Sequence, residues 1–496
     1  MNSFRNGINR NVNSGLTENG MAAYRSTGTA LLDLFSEMGN YRNVMNETLV
    51  KSAYNENPVH FTRLLFFNRN VRGGQKVRRT LQYVLNNIDS FPALRNWLNY
   101  NLEVIPHFGY WKDFYNLQNT SLWSNVVAFW CAQLVNDQTV MIEGKQRGKI
   151  ADISLAAKFA PSERNGANTF NQLTAREFAS HLDISPKQYR KMISALRSHL
   201  NIVEKLMSEQ RWNEINFNSV PSIAMNNYKD AFKRHVETAY NEWLLNDDTK
   251  VNVTGLTPVD IVSSISRWSN ADAFKVKQWN NLPDLNNEWN ILPVIDCSGS
   301  MYVSVGKNVT ALDVSHALGL YFAHRLNGPF NNCLIEFSHN AQFTILTGDF
   351  AKDLKTVRYM SEIANTNLES VFKLILNTGK KNNVPQNEMP SHLLIVSDMQ
   401  FDRATNRGYT AIEQMTKMYK DAGYTIPHVI FWNVNTGKAK PVFNNDKGVT
   451  LLSGWSGDIL NYLFTGEYNE KEQLSLTPYE QMMKVIEHED YSMINW

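Results

Sequence analysis

The chain has 496 residues, 43% of them hydrophobic and 19% charged, with a net charge of +2. That balance excludes a disordered chain and provides no global field to attract nucleic acid or membrane, so any such binding needs a local patch. Three cysteines, Cys131, Cys297 and Cys333, are too few and too scattered for a disulfide framework or a zinc site, which favours a reducing, cytoplasmic setting.

The first fifteen residues are polar and rich in Asn, Arg and Gly, without the apolar core of a secretory signal. They are expected to form a flexible arm (1–15). No apolar run reaches the ~18 residues that would cross a bilayer. From residue 16 to 283 apolar residues recur at helical spacing, and strand-like alternation is rare. Helices are predicted at Gly28–Met38, Pro58–Asn68, Gln75–Asn87, Pro92–Asn101, Ser121–Asn136, Thr174–His181, Ser185–Glu209 and Asn227–Leu245. Ser185 is a suitable N-cap and Pro186 a suitable first residue for the seventh of these. Short polar loops separate the helices, and the pattern predicts an all-helical, HEAT-like solenoid of paired helices. The aromatic run Phe108, Tyr110, Trp111, Phe114 and Tyr115 reads as one core-facing helix surface.

At 284 the pattern changes. Apolar runs at Ile291–Ile295, Cys333–Phe337, Ala341–Leu346, His392–Ser397 and His428–Val434 read as strands. Helical stretches at Ala311–Asn327, Phe350–Ala364, Leu368–Thr378 and Ala411–Ala422 alternate with them. This alternation predicts an α/β domain over 284–496, with a mostly parallel sheet and ligands at the carboxyl ends of its strands.

Three loops fall at that edge. Asp296-Cys297-Ser298-Gly299-Ser300 offers a carboxylate and two hydroxyls on alternate residues of a tight turn. Asn365-Thr366-Asn367 precedes a helix, and Ser397-Asp398 follows a strand. Carboxylate and hydroxyl oxygens suit a hard cation, Mg²⁺ first, with Mn²⁺ or Ca²⁺ as alternatives. The same residues also fit a turn that merely satisfies its own backbone.

DxSxS after a buried strand, a Thr in a second loop and an Asp after a later strand together resemble the metal-ion-dependent adhesion site of von Willebrand A domains, a Rossmann-like fold. The resemblance implies that Ser298 and Ser300 touch the metal directly. Asp296, Thr366 and Asp398 would bind directly or through water. The sixth position would be open to water or to an acidic group of a protein partner. The sequence departs from the usual pattern in reading Ala364-Asn365-Thr366 where Gly-Gly-Thr is common, and Ser397-Asp398-Met399 where Thr-Asp-Gly is common.

The helical part adds a second resemblance. Thr17-Glu18-Asn19-Gly20, the stretch Arg69–Gly74, the stretch Ile105–Asp113, Tyr189-Arg190-Lys191 with Leu196-Arg197, and Val220-Pro221-Ser222 resemble a family of unknown function found in bacteria, phages and eukaryotes. That family places helices before a von Willebrand A domain. Its architecture is similar to the TROVE, or Ro autoantigen, ribonucleoproteins, in which helical repeats bind RNA. The analogy implies RNA as a partner.

Residues 63–79 carry Arg63, Arg69, Arg72, Lys76, Arg78 and Arg79 and no acid, a set that can pair with phosphates or form a solvated face. Lys187, Arg190, Lys191 and Arg197 form a second basic face, read as solvated. No GxSxG, Walker A or HExxH sequence is present. The leading expectation is a non-enzymatic binding protein for RNA, a divalent metal and an acidic partner. A protein-interaction scaffold without RNA, and a metal-dependent phosphoesterase, are the alternatives.

Overall fold

The computed structural model describes residues 3–162, 169–246, 248–267, 269–285, 290–359, 366–402, 411–436, 439–464 and 476–496. Two compact units divide the chain: residues 1–80 together with 253–496, and residues 81–252. The boundary expected near 284 is therefore corrected, because the first eighty residues fold with the sheet and not with the helices that follow them.

The expected flexible arm is also corrected. Ser3–Asn13 is helical, and it leads into a hairpin of β1 (Ser14–Leu16) and β2 (Ala22–Tyr24). Arg10 anchors the helix by pairing with Asp446 at 2.5 Å. The carboxylate partner lies 436 residues away in sequence, so composition alone carries no sign of it.

The main sheet is built from β3 (Ile291–Asp296), β6 (Cys333–Phe337), β7 (Ala341–Ile345), β8 (His392–Ser397), β9 (His428–Asn433) and β10 (Val449–Ser453). A small ribbon of β4 (Ser304–Gly306) and β5 (Val309–Thr310) lies apart from it. The strand order is β10-β9-β8-β3-β6-β7, parallel except for the edge strand β7. β3, β8, β9 and β10 are buried at every residue, as expected of parallel strands covered on both faces. Leu292, Val294, Ile335, Leu393 and Ile395 meet Val371, Phe372 and Ile375 of the helix Leu368–Asn382 on one side. On the other side the helix Ala311–Arg325 approaches so closely that a Cβ on Gly319 would lie 2.2 Å from Ile295 Cγ2. From central β3 the chain builds outward both ways, so the switch in strand order falls beside β3.

Residues 30–41 seat against the ends of β9 and β10. Asn40 Nδ2 donates to Asn433 O, Ser453 Oγ donates to Phe35 O, and a Cβ on Gly39 would come within 2.6 Å of Gly454. A buried ion pair, Lys440 with Glu37 at 3.3 Å, lies beside these contacts.

The second unit is helical. Its longest helix, Trp123–Gln146, packs against Thr169–His181 and Pro186–His199. Ser185 caps the latter, as the sequence predicts, and Gln188 returns a bond to the Ser185 backbone. Among the described residues, helix lengths in this unit run from 4 to 24 residues, and they show no regular repeat of equal helix pairs. The stretch predicted as one helix to Leu245 is two, Ser222–His235 and Glu237–Leu245, broken at Val236. Trp111 and Phe114 are core residues against Trp130, on a 3-10 turn (Trp111–Leu117) and not the α-helix expected. The helix predicted over Phe350–Ala364 is described over Phe350–Tyr359; Ala364 and Asn365 lie outside the described residues.

Candidate metal centre at the sheet edge

β3 delivers Asp296 to the carboxyl edge of the sheet, and the chain turns at once. Ser298 N donates to Asp296 Oδ1 at 2.9 Å, an Asx-type turn that folds the loop back over the strand end. Cys297 N donates to Phe337 O at 2.9 Å, fixing the same loop to the end of β6. The hydroxyls of Ser298 and Ser300 are then 3.2 Å apart.

The third loop closes on the first. Ser397 Oγ donates to Asp296 Oδ2 at 2.6 Å, and the Ser300 hydroxyl favours the charged form of Asp398. Gln400 N donates to Asp398 Oδ1 at 3.2 Å. Met399 takes φ +66, the left-handed conformation that favours glycine over a side chain such as methionine.

The second loop joins them through its backbone. The Thr366 carbonyl accepts from Asp402 N at 2.9 Å, and Asn367 N donates to Ser338 O at 2.8 Å. Thr366 is buried, and its hydrogen bonds hold its loop to the loops after β6 and β8.

Burial, and then the Asp398 charge, raise the Asp296 pKa to about 7, against the lowering effect of Ser397 and Ser298. Burial also raises Asp398, where the Glu18 charge adds to the rise and Gln400 and Ser300 oppose it. Two carboxylates therefore share a site in which neither is favourably charged alone. A divalent cation placed there would supply a positive charge, and the oxygen-only donors would fit a hard one. Among the described residues no three His, Cys, Asp or Glu side chains group as a metal site, so a zinc-type cluster finds no support.

Sequence reasoning left Glu18 without a role. Thr17 Oγ1 donates to Phe401 O at 2.7 Å, Glu18 N to Gln400 Oε1 at 2.9 Å, and Asn19 Nδ2 to Gln400 O at 2.6 Å. The β1–β2 turn thus lies on the Asp398 loop. The tetrapeptide was visible as a resemblance, but its destination was not.

The six basic residues proposed for RNA do not form one exposed patch. Arg69 is 3% exposed. Lys76 pairs with Asp458 at 2.9 Å, both side chains being at most 10% exposed, and also donates to Leu256 O. Arg63 is half-buried and donates to Ile494 O at 2.9 Å. Arg72, Arg78 and Arg79 are exposed. Burial of Arg69, and the engagement of Arg63 with Ile494 and of Lys76 with Asp458 and Leu256, correct the expectation of one exposed basic patch. In the helical unit Lys187, Arg190 and Lys191 are exposed, while Arg197 is half-buried and donates to the Ala157 and Ala160 carbonyls.

Comparison with known proteins places residues 290–493 on the family described as Domain of unknown function (DUF7788). Residues 166–292 match Domain of unknown function (DUF2828). An uncharacterized protein of Acanthamoeba polyphaga mimivirus is 28% identical over 507 residues, covering 92% of this chain and 85% of its own. The crystal structure of the Deinococcus radiodurans RO (RSR) protein aligns with 93% of this chain and all of its own, at 12% identity and a TM-score of 0.37. A superposition that loose decides neither fold nor function. No helix among the described residues is long and apolar enough to cross a membrane.

Proposed function

We propose that this chain is a non-enzymatic binding protein whose sheet edge holds Mg²⁺ on Asp296, Ser298, Ser300, Thr366 and Asp398, and through it an acidic group. The observation that carries this reading is the pair of buried carboxylates. Burial and the Asp398 charge both oppose ionisation of Asp296, burial opposes that of Asp398, and the Ser298 N–H and Ser397 hydroxyl each donate to an Asp296 oxygen. A cation gains both charges there; without one the cluster opposes its own ionisation. The metal would supply a Lewis-acidic point of attachment, and the chain's own oxygens would orient it. A single cation position with serine donors suits adhesion better than two-metal phosphoester chemistry.

Isothermal titration of chelator-treated protein with Mg²⁺ and Mn²⁺ tests the reading. Saturable one-site binding that disappears in Asp296→Asn supports it; absence of binding at millimolar metal overturns it. A protein partner should be retained in Mg²⁺ and released by EDTA. Three unbridged cysteines support a reducing, cytoplasmic setting.

RNA is a second reading, favoured by the exposed Arg72, Arg78 and Arg79 close together in the chain. RNA affinity should fall steeply with log salt. It should weaken when those three arginines are replaced by Ala.

A further inference from the structure

We propose that the helical unit holds a cleft for a phosphate monoester carried on an aromatic group, the chemistry of a ribonucleoside 5′-monophosphate. The cleft uses no residue of the metal loops, so it stands or falls independently of the metal reading.

Two lobes make up the cleft, of about 270 Å³ and 540 Å³. Both are lined by Ser162, Arg197, Lys205 and Ser208, so they meet at those side chains. The larger alone is of the size that takes a small organic ligand.

The charge of the lining is one-sided. Among its described residues Lys112, Lys158, Arg190, Arg197 and Lys205 are basic, and Glu204 alone is acidic. Lys205 also pairs with Glu209 at 2.7 Å, but in a part-exposed contact that holds little energy against a phosphate. Arg197 donates from Nε to Ala157 O and from Nη2 to Ala160 O, each at 2.8 Å. Those bonds fix the guanidinium without cancelling its charge.

The wall is held in advance. Tyr115 OH donates to Phe159 O at 2.9 Å, and Tyr189 OH to Pro161 O at 3.0 Å. With Arg197 they pin residues 157–161 through four carbonyls, so a ligand need not order that segment on entry.

The lobes differ in chemistry, and this divides the ligand. The smaller sets Arg190, Arg197 and Lys205 with the hydroxyls of Ser162, Ser194 and Ser208, donors that suit phosphate oxygens. The larger adds Tyr115, Phe159 and Ile202 for an apolar ring, and the Asn171 amide for its polar edge. Inorganic phosphate would leave the aromatic wall unused, and an uncharged nucleoside would leave the cations unused.

Isothermal titration of the full chain tests this. The probes are the 5′-monophosphates of adenosine, guanosine, cytidine and uridine, the four nucleosides, inorganic phosphate, and a single-stranded oligoadenylate without a terminal phosphate. At least one monophosphate is expected to bind at one saturable site, more tightly than its nucleoside and than inorganic phosphate. Lys205→Ala and Arg190→Ala should each weaken that binding by about 10-fold, and Lys205→Arg should keep most of it. Circular dichroism checks that the variants fold. No monophosphate binding at millimolar concentration overturns the proposal, as does equal affinity in wild type, Lys205→Ala and Arg190→Ala. Oligoadenylate binding as tight as the monophosphate would assign the cleft to a phosphodiester backbone and overturn it as well.

Discussion

Ser397 and Asp296, 101 residues apart, meet side chain to side chain at 2.6 Å across the paired ends of β8 and β3. The serine serves as a buried donor that fixes one oxygen of the carboxylate while the Ser298 N–H fixes the other. Ser397→Ala leaves a buried oxygen unsatisfied. A loss of about 1–3 kcal/mol of stability is expected in urea titrations, with weaker Mg²⁺ binding from a less constrained Asp296. Equal stability of variant and wild type would contradict the role assigned to this bond.

Metal binding should depend on pH in one direction. The cation needs ionised Asp296, whose pKa is about 7 in the metal-free protein because burial and Asp398 disfavour its charge. Affinity should rise as pH increases toward neutrality, and fall by up to about tenfold per pH unit below 7 as protons compete. Calorimetry at pH 5.5, 6.5 and 7.5 checks this. A flat profile would place the metal elsewhere.

Acid stability should be limited by histidines at the other end of the sheet. His392 and His428 face each other at 5.2 Å between ring centroids. Burial lowers both, His428 to about 4, and His392 well below its usual value with the His428 charge adding to the effect. The unfolded chain titrates near 6.5 and so takes up protons first. The stability that the neutral rings provide is complete above pH 6.5 and is lost as pH falls from there toward 4. For His428 alone the loss is on the order of 3 kcal/mol. Chemical denaturation across this range, with His428→Gln as comparison, should show a shallower slope in the variant.

Gly319→Ala offers a test in which two effects have opposite sign. Alanine in a helix interior normally stabilises by up to about 1 kcal/mol. Here the added methyl would sit 2.2 Å from Ile295, next to Asp296. Overpacking of this kind costs about 1–3 kcal/mol, so net destabilisation is expected, with weakened metal binding. A higher melting temperature would show that helix and sheet separate freely at this point.

Lys76 should behave as a structural residue. Lys76→Met leaves Asp458 buried without its ion-pair partner, and a loss of about 3–5 kcal/mol is expected. Lys76→Met with Asp458→Leu should recover most of it. Filter binding of RNA by the double variant should match wild type, since the pair is enclosed.

The strands and the metal loop were legible because the signals are local. Parallel strands buried on both faces read as unbroken apolar runs, and Asp296, Ser298 and Ser300 lie within five residues. What escaped was set by distant contacts. Arg69 and Lys76 look like surface charges, but Arg69 is buried and Lys76 pairs with Asp458, 382 residues further along the chain. Val236 breaks a helix with neither Gly nor Pro to mark it. β10 was missed: its Val-Thr-Leu-Leu-Ser is short, and its pairing with β9 supplies what local pattern lacks. The arm was misread because polar residues give no hint that Arg10 has a buried-edge partner.

The distance between Glu18 and its anchor Gln400, 382 residues, has a consequence for biosynthesis. Translation at about 5–20 residues per second separates the emergence of the two by tens of seconds. During that interval the amino-terminal turn has no surface to rest on, while residues 81–252 emerge complete. The turn is thus among the last pieces to settle, since its hydrogen bonds to Gln400 and Phe401 can form only after the ribosome has passed β8.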